Sequence, residues 1–241
     1  LMAREGIASR TSELAEETRE DFTVTETDTG QQYRFVLPGP HLTGSEWQAC
    51  LETLAACGPG PRWLVASGSL APGLPEDFYA RIRRIADAWG ARMALDTSGP
   101  ALAAALKEGV YLIKPNLREL GEFVGRPLRG ESDWAEAARQ VIASGHTEVV
   151  ALTLGHLGAL LATREGVWRA PPLPVTPVSA VGAGDSFLGA MVHGLAAGRT
   201  VVDAFRLGVA AGSAALLSAG TGLARCEDID RLYPTVAAEP L

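Results

Sequence analysis

The sequence predicts an α/β protein whose mainly parallel sheet is covered by helices on both faces. From about Glu46 onward, short apolar runs alternate with segments of helical length, and strands that are joined through helices pair in parallel. The chain has 241 residues, of which 47% are hydrophobic. This is enough apolar surface for the buried core of one such domain.

The predicted elements follow the chain in order, beginning with a β-hairpin. Residues 22–27 and 32–37 alternate between apolar and polar side chains on either side of the turn residues 28–30, which is typical of a hairpin. Later strands are predicted at 63–66, 92–95, 110–113, 148–153, 160–162 and 167–168. Helices are predicted at 47–56, 75–89, 100–106, from Leu117, and at 134–144, 183–197 and 201–218. Pro75 and Pro100 fit helix starts, where a missing N–H costs no hydrogen bond.

The hairpin does not belong to the alternation of strands and helices. We expect it to form a small β lid or a dimerisation element beside the α/β core. No linker-like run separates the two parts. We therefore expect one domain over residues 1–241, with residues 18–37 contributing the hairpin of the lid, and a homodimer formed through that lid.

Charge and cysteine content exclude several classes of protein. The chain has 28 acidic and 21 basic side chains and a formal net charge of -7, whereas binding to nucleic acid needs clustered Lys and Arg. The longest apolar runs, such as 207–217, are too short for a membrane span of about 20 residues. Cys50, Cys57 and Cys226 are an odd number without metal-ligand spacing, which indicates a reducing, cytoplasmic compartment. The four histidines show no ligand spacing either.

The segment Gly182, Ala183, Gly184, Asp185 stands at the start of a predicted helix. Glycines there let backbone N–H groups point at an anion, and the helix dipole adds positive charge, so a phosphate could be held. Asp185 beside a phosphate is electrostatically unfavourable unless it accepts a proton from an attacking hydroxyl, as a general base does. The alternative is a glycine-rich turn followed by an acidic residue that favours the dipole.

Lys114, Asn116 and Glu119 follow the strand predicted at 110–113. Asn116 and Glu119 share one face of the helix that they open, so an amide and a carboxylate oxygen could point together at Mg²⁺. The alternative is strong, because Asn followed three residues later by Glu is a capping-box pattern. Lys114 is one of only two lysines in the chain, and it either faces a phosphate or is a solvated surface residue.

Three further segments have weaker signals. Thr153, Gly155 and Gly158 follow a predicted strand and suit either a nucleotide loop or a tight turn into the next strand. The small residues 67–73, which include Ser69, suit a ligand wall or an ordinary loop. Thr18 and Arg19, just ahead of the hairpin, offer a hydroxyl and a guanidinium for a phosphate, although a lone surface Arg is usually solvated.

Missing motifs narrow the choice further. The sequence contains no Gly-x-x-x-x-Gly-Lys-[Ser/Thr] and no Gly-x-Ser-x-Gly, so neither a P-loop NTPase nor a serine nucleophile on an elbow is supported. A dinucleotide fingerprint is also absent, because Phe187 occupies the third glycine position after Gly182 and Gly184.

Taken together in this order, these segments resemble the PfkB family of ribokinase-like carbohydrate kinases over essentially the whole chain. The most specific parts are residues 181–186 and 114–119, and residues 32–39 resemble the bacterial minor 6-phosphofructokinases within the family. The resemblance implies a three-layer α/β/α sandwich with a small β lid. It also implies ATP-dependent phosphorylation of a sugar phosphate, with ATP, Mg²⁺ and K⁺ as cofactors.

The resemblance implies a role for individual residues. Asp185 is the expected catalytic base, and the expected anion hole consists of Gly182, Ala183 and Gly184. The nucleotide-binding positions are Lys114, Asn116, Thr153, Gly155, Gly158 and Ser213, while Asn116 and Glu119 are linked to Mg²⁺. The positions on the substrate side are Thr18, Arg19, Ser69 and Asp185. A monovalent-cation site is implied at Ser179, Val181, Ala215, Ser218, Gly220 and Gly222.

The resemblance also has a gap. The family's N-terminal strand, its sugar-binding Asp and its Gly-Gly-rich sugar loop have no counterpart here, so we expect a longer natural protein and an incomplete sugar pocket. Fructose 6-phosphate is the expected acceptor, phosphorylated to fructose 1,6-bisphosphate. The alternatives are a 1-phosphofructokinase, a tagatose-6-phosphate kinase or, from another class, a non-catalytic nucleotide- or sugar-binding protein on the same fold.

Overall fold

The computed structural model describes residues 2–29, 31–58 and 60–241, which form two separate β-sheets and a set of flanking helices. The strands are β1 (Asp21–Thr25), β2 (Gln32–Val36), β3 (Trp63–Ser67), β4 (Arg92–Asp96), β5 (Val110–Ile113), β6 (Thr147–Thr153), β7 (Ala159–Ala162), β8 (Val167–Ala170) and β9 (Glu239–Pro240). The helices are α1 (Gly44–Ala55), α2 (Phe78–Ala88), α3 (Gly99–Lys107), α4 (Leu117–Val124), α5 (Glu131–Ala143), α6 (Ala183–Ala196), α7 (Val201–Ala215) and α8 (Cys226–Leu232). Short 3-10 turns lie at Met2–Glu5, Gly155–Leu157 and Tyr233–Thr235.

The larger sheet has seven strands in the order of the chain, β3 to β9. β3, β4, β5 and β6 run parallel, and β7, β8 and β9 continue the sheet in antiparallel fashion. β4, β5 and β6 are covered on both faces and read as continuous apolar runs rather than as alternating ones, whereas the edge strand β3 leaves Val65 46% exposed. In the register of β4 and β5, Leu95 lies opposite Ile113. The strand ends that follow, Asp96 and Lys114, therefore stand side by side.

Helices cover both faces of this sheet. On one face Leu95, Leu102 and Trp134 belong to a core that includes α2, α3, α4 and α5. On the other face Leu112 and Phe205 belong to a second core that includes α6, α7 and α8. Full burial of a side chain such as Leu contributes about 1.5–3 kcal/mol. The predicted three-layer α/β/α sandwich is confirmed.

Close packing of α6 against α7 brings the end of α7 to the start of α6. A Cβ at Gly212 would lie 3.2 Å from the carbonyl oxygen of Ala183 and 3.4 Å from Cβ of Phe187. A larger residue at this position would push the two helices apart. Ser213 therefore lies in the turn of α7 that packs beside the N-terminus of α6.

The hairpin forms as the alternation predicts. Asp21 pairs with Val36 and Thr25 with Gln32 in an antiparallel ladder, while Gly30 of the predicted turn lies outside the described residues. One face of the hairpin is apolar and about half exposed; it consists of Phe22, Val24, Tyr33 and Phe35. The rings of Phe22 and Phe35 stack at 5.0 Å. Gln32 Nε2 donates to the carbonyl oxygen of Val178 across 3.3 Å, which ties the hairpin to the segment before α6.

Some element boundaries differ from the sequence prediction. α2 begins at Phe78 rather than at residue 75, because residues 75–78 form a separate turn in which the amide of Phe78 donates to Pro75. α7 ends at Ala215, and residues 216–218 continue as a turn. α8 and the two-residue strand β9 were not predicted. In the described part of the chain, no helix combines the length and the apolar character that a membrane span requires.

Candidate active site

Most of the predicted site residues lie at the carboxyl end of the parallel strands, where open α/β sheets bind their ligands. Asp96 ends β4, Lys114 follows β5 and Thr153 ends β6. The first turn of α6, in one of the two helix layers, lies next to these strand ends. Ser67 Oγ at the end of β3 donates to Asp185 Oδ1 across 3.4 Å. The fold thus brings Lys114, at the end of a strand, close to the first turn of α6, which carries Asp185.

The N-terminus of α6 is open. Gly182 has a φ of +76°, a left-handed conformation that favours glycine, and no side chain among the described residues caps the helix. The first amide to enter the helical ladder is that of Ser186, which donates to the carbonyl oxygen of Gly182 across 2.9 Å. The amides of Gly184 and Asp185 precede it in the first turn. They are therefore oriented toward an external anion.

Lys114 places a buried positive charge beside that helix start. Its side chain is 7% exposed, and Nζ lies 3.0 Å from Asp96 Oδ2. Nζ also lies 3.2 Å from the position that a Cβ on Gly184 would take, so glycine at 184 leaves room for the ammonium group. The alternative of a solvated surface lysine is wrong. A buried charge needs a partner, and Asp96 supplies it.

Asp96 also belongs to this group of side chains, although it was not predicted from the sequence. Burial raises the pKa of its carboxyl group, the Lys114 ammonium opposes that rise, and the nearby charges of Glu119 and Asp185 add to it. Three carboxylates therefore share one neighbourhood with a single buried ammonium. The available signal was an acidic residue directly at the end of a buried strand.

Asn116 and Glu119 close the N-terminus of α4 as a capping box. Asn116 Oδ1 accepts from the amide of Glu119 across 2.9 Å, and the amide of Asn116 donates to Glu119 Oε2 across 2.9 Å. The capping alternative is therefore realised. It satisfies two amides at the start of α4, and it engages one of the two carboxylate oxygens of Glu119. The magnesium role of the pair stays a prediction.

The carboxylates suit a magnesium ion that is bound mainly by phosphate and water. In the described residues, no group of three or more His, Cys, Asp and Glu side chains is arranged to hold a metal ion. Mg²⁺ is usually bound through one or two carboxylates together with waters and substrate phosphates, and it needs no cage made entirely of protein. The charges of Glu119 and Asp185 act on Asp96 and help to raise its pKa, so one or two carboxylates at this place could meet an ion that is otherwise bound by phosphate and water.

Residues 153–158 form a tight turn from β6 into β7. The amide of Thr153 donates to Pro115 across 3.0 Å, which places this turn beside the start of α4. The amide of Leu154 donates to Gly158 across 2.9 Å and closes the turn. Gly158 has a φ of +96°, and a Cβ there would lie 2.3 Å from the carbonyl oxygen of Ala170. Glycine is required by the turn itself, and the nucleotide role of Thr153, Gly155 and Gly158 stays a prediction.

The predicted monovalent-cation residues come from two neighbouring segments. Ser179 Oγ donates to the carbonyl oxygen of Gly220 across 2.9 Å and accepts from the amide of Val181 across 3.3 Å. Ala215 is the last residue of α7, and Ser218 and Gly222 lie in the turn after α7 together with Gly220. Hydroxyl and carbonyl oxygens are the ligands of hard monovalent cations, so the donor types fit the predicted ion.

The predicted substrate side lies between the hairpin and the loop after β3. Arg19 Nη1 and Ser69 Oγ are 3.4 Å apart, although 50 residues separate them in the chain. Asp21, which the sequence analysis did not single out, lies 3.3 Å from Arg19 Nε and 3.2 Å from Arg34 Nη2. Thr18 precedes Arg19 and is exposed. The structure thus brings Arg19 and Ser69 together.

An α/β/α sandwich with an open helix start and a buried lysine at the carboxyl end of its sheet has the architecture of the ribokinase-like kinases, which transfer a phosphoryl group to a sugar hydroxyl. The family model described as pfkB family carbohydrate kinase matches residues 1–227. The chain belongs to this family, and the resemblance seen in the sequence is confirmed.

Named relatives include phosphofructokinases of two kinds. The ATP-dependent 6-phosphofructokinase isozyme 2 of Mycobacterium tuberculosis is 43% identical over 240 residues, which cover 100% of this chain and 70% of that protein. A 1-phosphofructokinase of Rhodobacter capsulatus is 39% identical over 184 residues, which cover 76% of this chain and 57% of that protein.

Solved structures of phosphofructokinase-2 from Escherichia coli share the fold closely. The structure in complex with potassium matches with a TM-score of 0.91 and 38% identity, covering 98% of this chain and 76% of that one. The structure in complex with fructose-6-phosphate matches with a TM-score of 0.89 and 37% identity over the same shares.

Proposed function

We propose that the protein transfers the γ-phosphoryl group of ATP to fructose 6-phosphate and forms fructose 1,6-bisphosphate. The observation that carries this proposal is the open first turn of α6, which holds Asp185 and uncapped amides and which lies beside the buried ammonium group of Lys114. The names of the relatives and the fructose-6-phosphate complex of the Escherichia coli enzyme support this choice of acceptor.

Asp185 acts as the general base. Its side chain is exposed at the carboxyl end of the sheet, and Ser67 Oγ donates to one carboxylate oxygen. The other oxygen accepts the proton of the sugar hydroxyl while that hydroxyl oxygen attacks the γ-phosphorus. The bond from the γ-phosphorus to the bridging oxygen breaks, and ADP leaves.

The charge that develops on the transferred group is stabilised by this chain's own donors. The anion hole comprises Gly182, Ala183 and Gly184; among the described residues the amide of Gly184 is open, while that of Ala183 donates to Ala180 over a long 3.4 Å. Lys114 adds a positive charge that burial strengthens. Asn116 and Glu119 would hold Mg²⁺ through water, and its charge would offset that of the phosphates. The residues around Ser179 would hold K⁺ near the anion hole, as the potassium complex of the Escherichia coli enzyme supports.

Nucleotide and sugar phosphate bind on two sides of Asp185. Lys114, Asn116, the turn at residues 153–158 and Ser213 face the nucleotide. Thr18, Arg19 and Ser69 hold the sugar phosphate beneath the hairpin, which closes over the sugar and excludes water that would otherwise accept the phosphoryl group.

The apolar face of the hairpin supports a homodimer formed through the lid. Phe22, Val24, Tyr33 and Phe35 leave about half of their surfaces exposed, and a second copy of this face would cover them. Light scattering coupled to size exclusion should give a mass of two chains. The variant Phe35→Ser should shift it toward one chain, and an unchanged mass in this variant would contradict the lid as the interface.

A 1-phosphofructokinase activity is the second candidate, because a relative with that name is 39% identical. The deciding experiment measures ADP release with MgATP and fructose 6-phosphate, fructose 1-phosphate or tagatose 6-phosphate, and identifies each product by phosphorus NMR. We expect the highest kcat/KM with fructose 6-phosphate. A higher value with fructose 1-phosphate would favour the second candidate. No ADP release with any of the three acceptors, together with retained ATP binding, would contradict both candidate activities and favour a non-catalytic binding protein.

A further inference from the structure

Arg169 of β8 reaches into the gap between the turn at residues 153–158 and the start of α5. Its side chain is 15% exposed, and Nε lies 3.1 Å from Glu131 Oε2. Nη1 donates to the carbonyl oxygen of Ala159 across 3.1 Å and also to that of Ala170. Nη2 donates to the carbonyl oxygen of Leu157, inside the turn. A single, partly buried guanidinium therefore joins two strands, one helix and the turn.

An aromatic ring supports this guanidinium from the helix side. The central carbon of the Arg169 guanidinium lies 6.0 Å from the ring centroid of Trp134, whose side chain is buried in the core beneath α5. A cation within about 6 Å of a ring centroid is attracted by the ring. Arg presents several donors in a fixed planar fork, so one side chain can hold several carbonyl groups at set angles.

The turn at residues 153–158 is therefore fastened on the side that faces β8. Gly158 lies so close to Ala170 that no side chain fits, and Arg169 holds the carbonyl oxygen of Leu157. The opposite side of the turn is open to solvent, because Gly155 and His156 are exposed. A loop that is already held in its binding conformation loses less entropy when a ligand arrives.

We propose that Arg169 is a positioning residue for ATP: it fixes the turn at residues 153–158 from behind, so that the exposed side of the turn is preformed for the nucleotide. Arg169 does not touch the nucleotide itself. The inference rests on the proposed function, because it takes residues 153–158 to be the nucleotide loop.

The test compares Arg169→Gln with Arg164→Gln. Arg164 is an exposed arginine in the turn between β7 and β8, so the control removes the same charge without loosening the nucleotide turn. Isothermal titration with MgATP measures Kd without any acceptor. Since hydrogen bonds from a charged donor are stronger than neutral ones, we expect Arg169→Gln to raise the Kd for ATP about tenfold or more. Arg164→Gln should leave it unchanged.

Two further readouts separate positioning from general stabilisation. Amide hydrogen exchange should accelerate at residues 153–158 in Arg169→Gln, and KM for the sugar phosphate should stay at the wild-type value. Arg169→Lys keeps the charge but not the planar fork, so its Kd should fall between those of the wild type and the Gln variant. The Lys variant also serves as the test if the Gln variant does not fold.

The results that overturn the inference are distinct from those that overturn the proposed function. A lowered Tm of the Arg169 variants with an unchanged Kd for ATP would leave Arg169 a structural role only. Equal rises in the KM values for ATP and for the sugar phosphate in the Arg169 variants would also overturn the inference. So would a wild-type protein that binds no ATP. If the wild type binds ATP but phosphorylates no sugar phosphate, the proposed function fails while the Kd comparison still decides the role of Arg169.

Discussion

Two helices begin at the carboxyl end of the sheet, and their first turns differ. α4 closes its own start, because Asn116 and Glu119 exchange two hydrogen bonds with each other's backbone amides. α6 starts from a left-handed glycine, and no described side chain caps it. A helix start that is satisfied from within contributes to stability, whereas one that is left open can bind an anion. The comparison therefore predicts that the start of α6 binds an anion directly, whereas Asn116 and Glu119 stabilise α4 in addition to the role proposed for them toward Mg²⁺.

The largest effect is expected when the proposed base in the first turn of α6 is removed. Asp185→Asn keeps the shape of the side chain but removes the base, so kcat should fall by about 10²–10⁴-fold with both KM values little changed. Steady-state ADP release measures this. Ser67→Ala is the matched control, because it removes the hydroxyl that donates to Asp185 and leaves the carboxylate. Wild-type turnover by Asp185→Asn would remove Asp185 from the role of base.

A smaller effect tests the backbone of the same turn. Gly182 and Gly198 flank α6 with φ values of +76° and +81°, and at neither does a Cβ meet another atom within 4 Å. Alanine at either position should cost about 1–2 kcal/mol of stability, because L-residues are strained there. Only Gly182→Ala should also lower kcat, by about tenfold, because it disturbs the amides of the anion hole. Equal kcat values in the two variants would argue against the anion hole.

Two capping boxes allow a sharper comparison, in which each substitution is expected to cost about 1 kcal/mol of stability. α1 begins with Thr43 and Glu46 in the arrangement that Asn116 and Glu119 form at α4, but it contains none of the proposed site residues. Thr43→Ala and Asn116→Ala should each lower the free energy of unfolding by about 1 kcal/mol. Urea titrations measure this loss. The Mg²⁺-dependent affinity for ATP should fall in Asn116→Ala alone, and an equal affinity in both variants would mean that Asn116 only caps α4.

The smallest effect is a pH dependence in α1. Hydrogen bonds from the Thr43 side chain, and then from the amides of Thr43 and Ala15, lower the pKa of Glu46 from 4.5 to about 2. A carboxyl group whose pKa is depressed by folding stabilises the protein above its unfolded pKa, and it loses this contribution as the pH falls from 4.5 through about 2. Glu46→Gln should therefore flatten the decline in unfolding free energy over that range. Parallel curves for wild type and variant would contradict this account.

Local patterns predicted most of the fold. The hairpin alternates at period two, and every predicted strand of the large sheet appears within one or two residues of its expected bounds. The capping box at α4 could be considered from the sequence as an alternative to Mg²⁺ binding, because its two residues are only three positions apart. The strand β9 could not be found, since its two residues pair with Trp168 and Arg169 far earlier in the chain and show no pattern of their own.

Contacts between distant residues were harder to predict. Asp96 and Lys114 become partners because β4 and β5 are neighbours in a fixed register, and the sequence alone does not show which side chain at a strand end turns inward. The sequence did not indicate a role for Arg169, because an arginine in a short strand is usually solvated. Its role depends on Glu131, Trp134 and the turn at residues 153–158, which meet only in the folded protein.

The division of the core between two faces also sets an order of assembly. Because β3 to β8 follow one another both in the chain and in the sheet, these strands and the layer of α2, α3, α4 and α5 can form while the chain is still being synthesised. The other face of the sheet, with Leu112, Val149 and Leu161, stays bare until α6 and α7 arrive. That same step delivers Asp185. A nascent chain therefore gains its proposed catalytic base only when its last large apolar surface is covered, and we expect a product truncated before α6 to be both inactive and prone to aggregate.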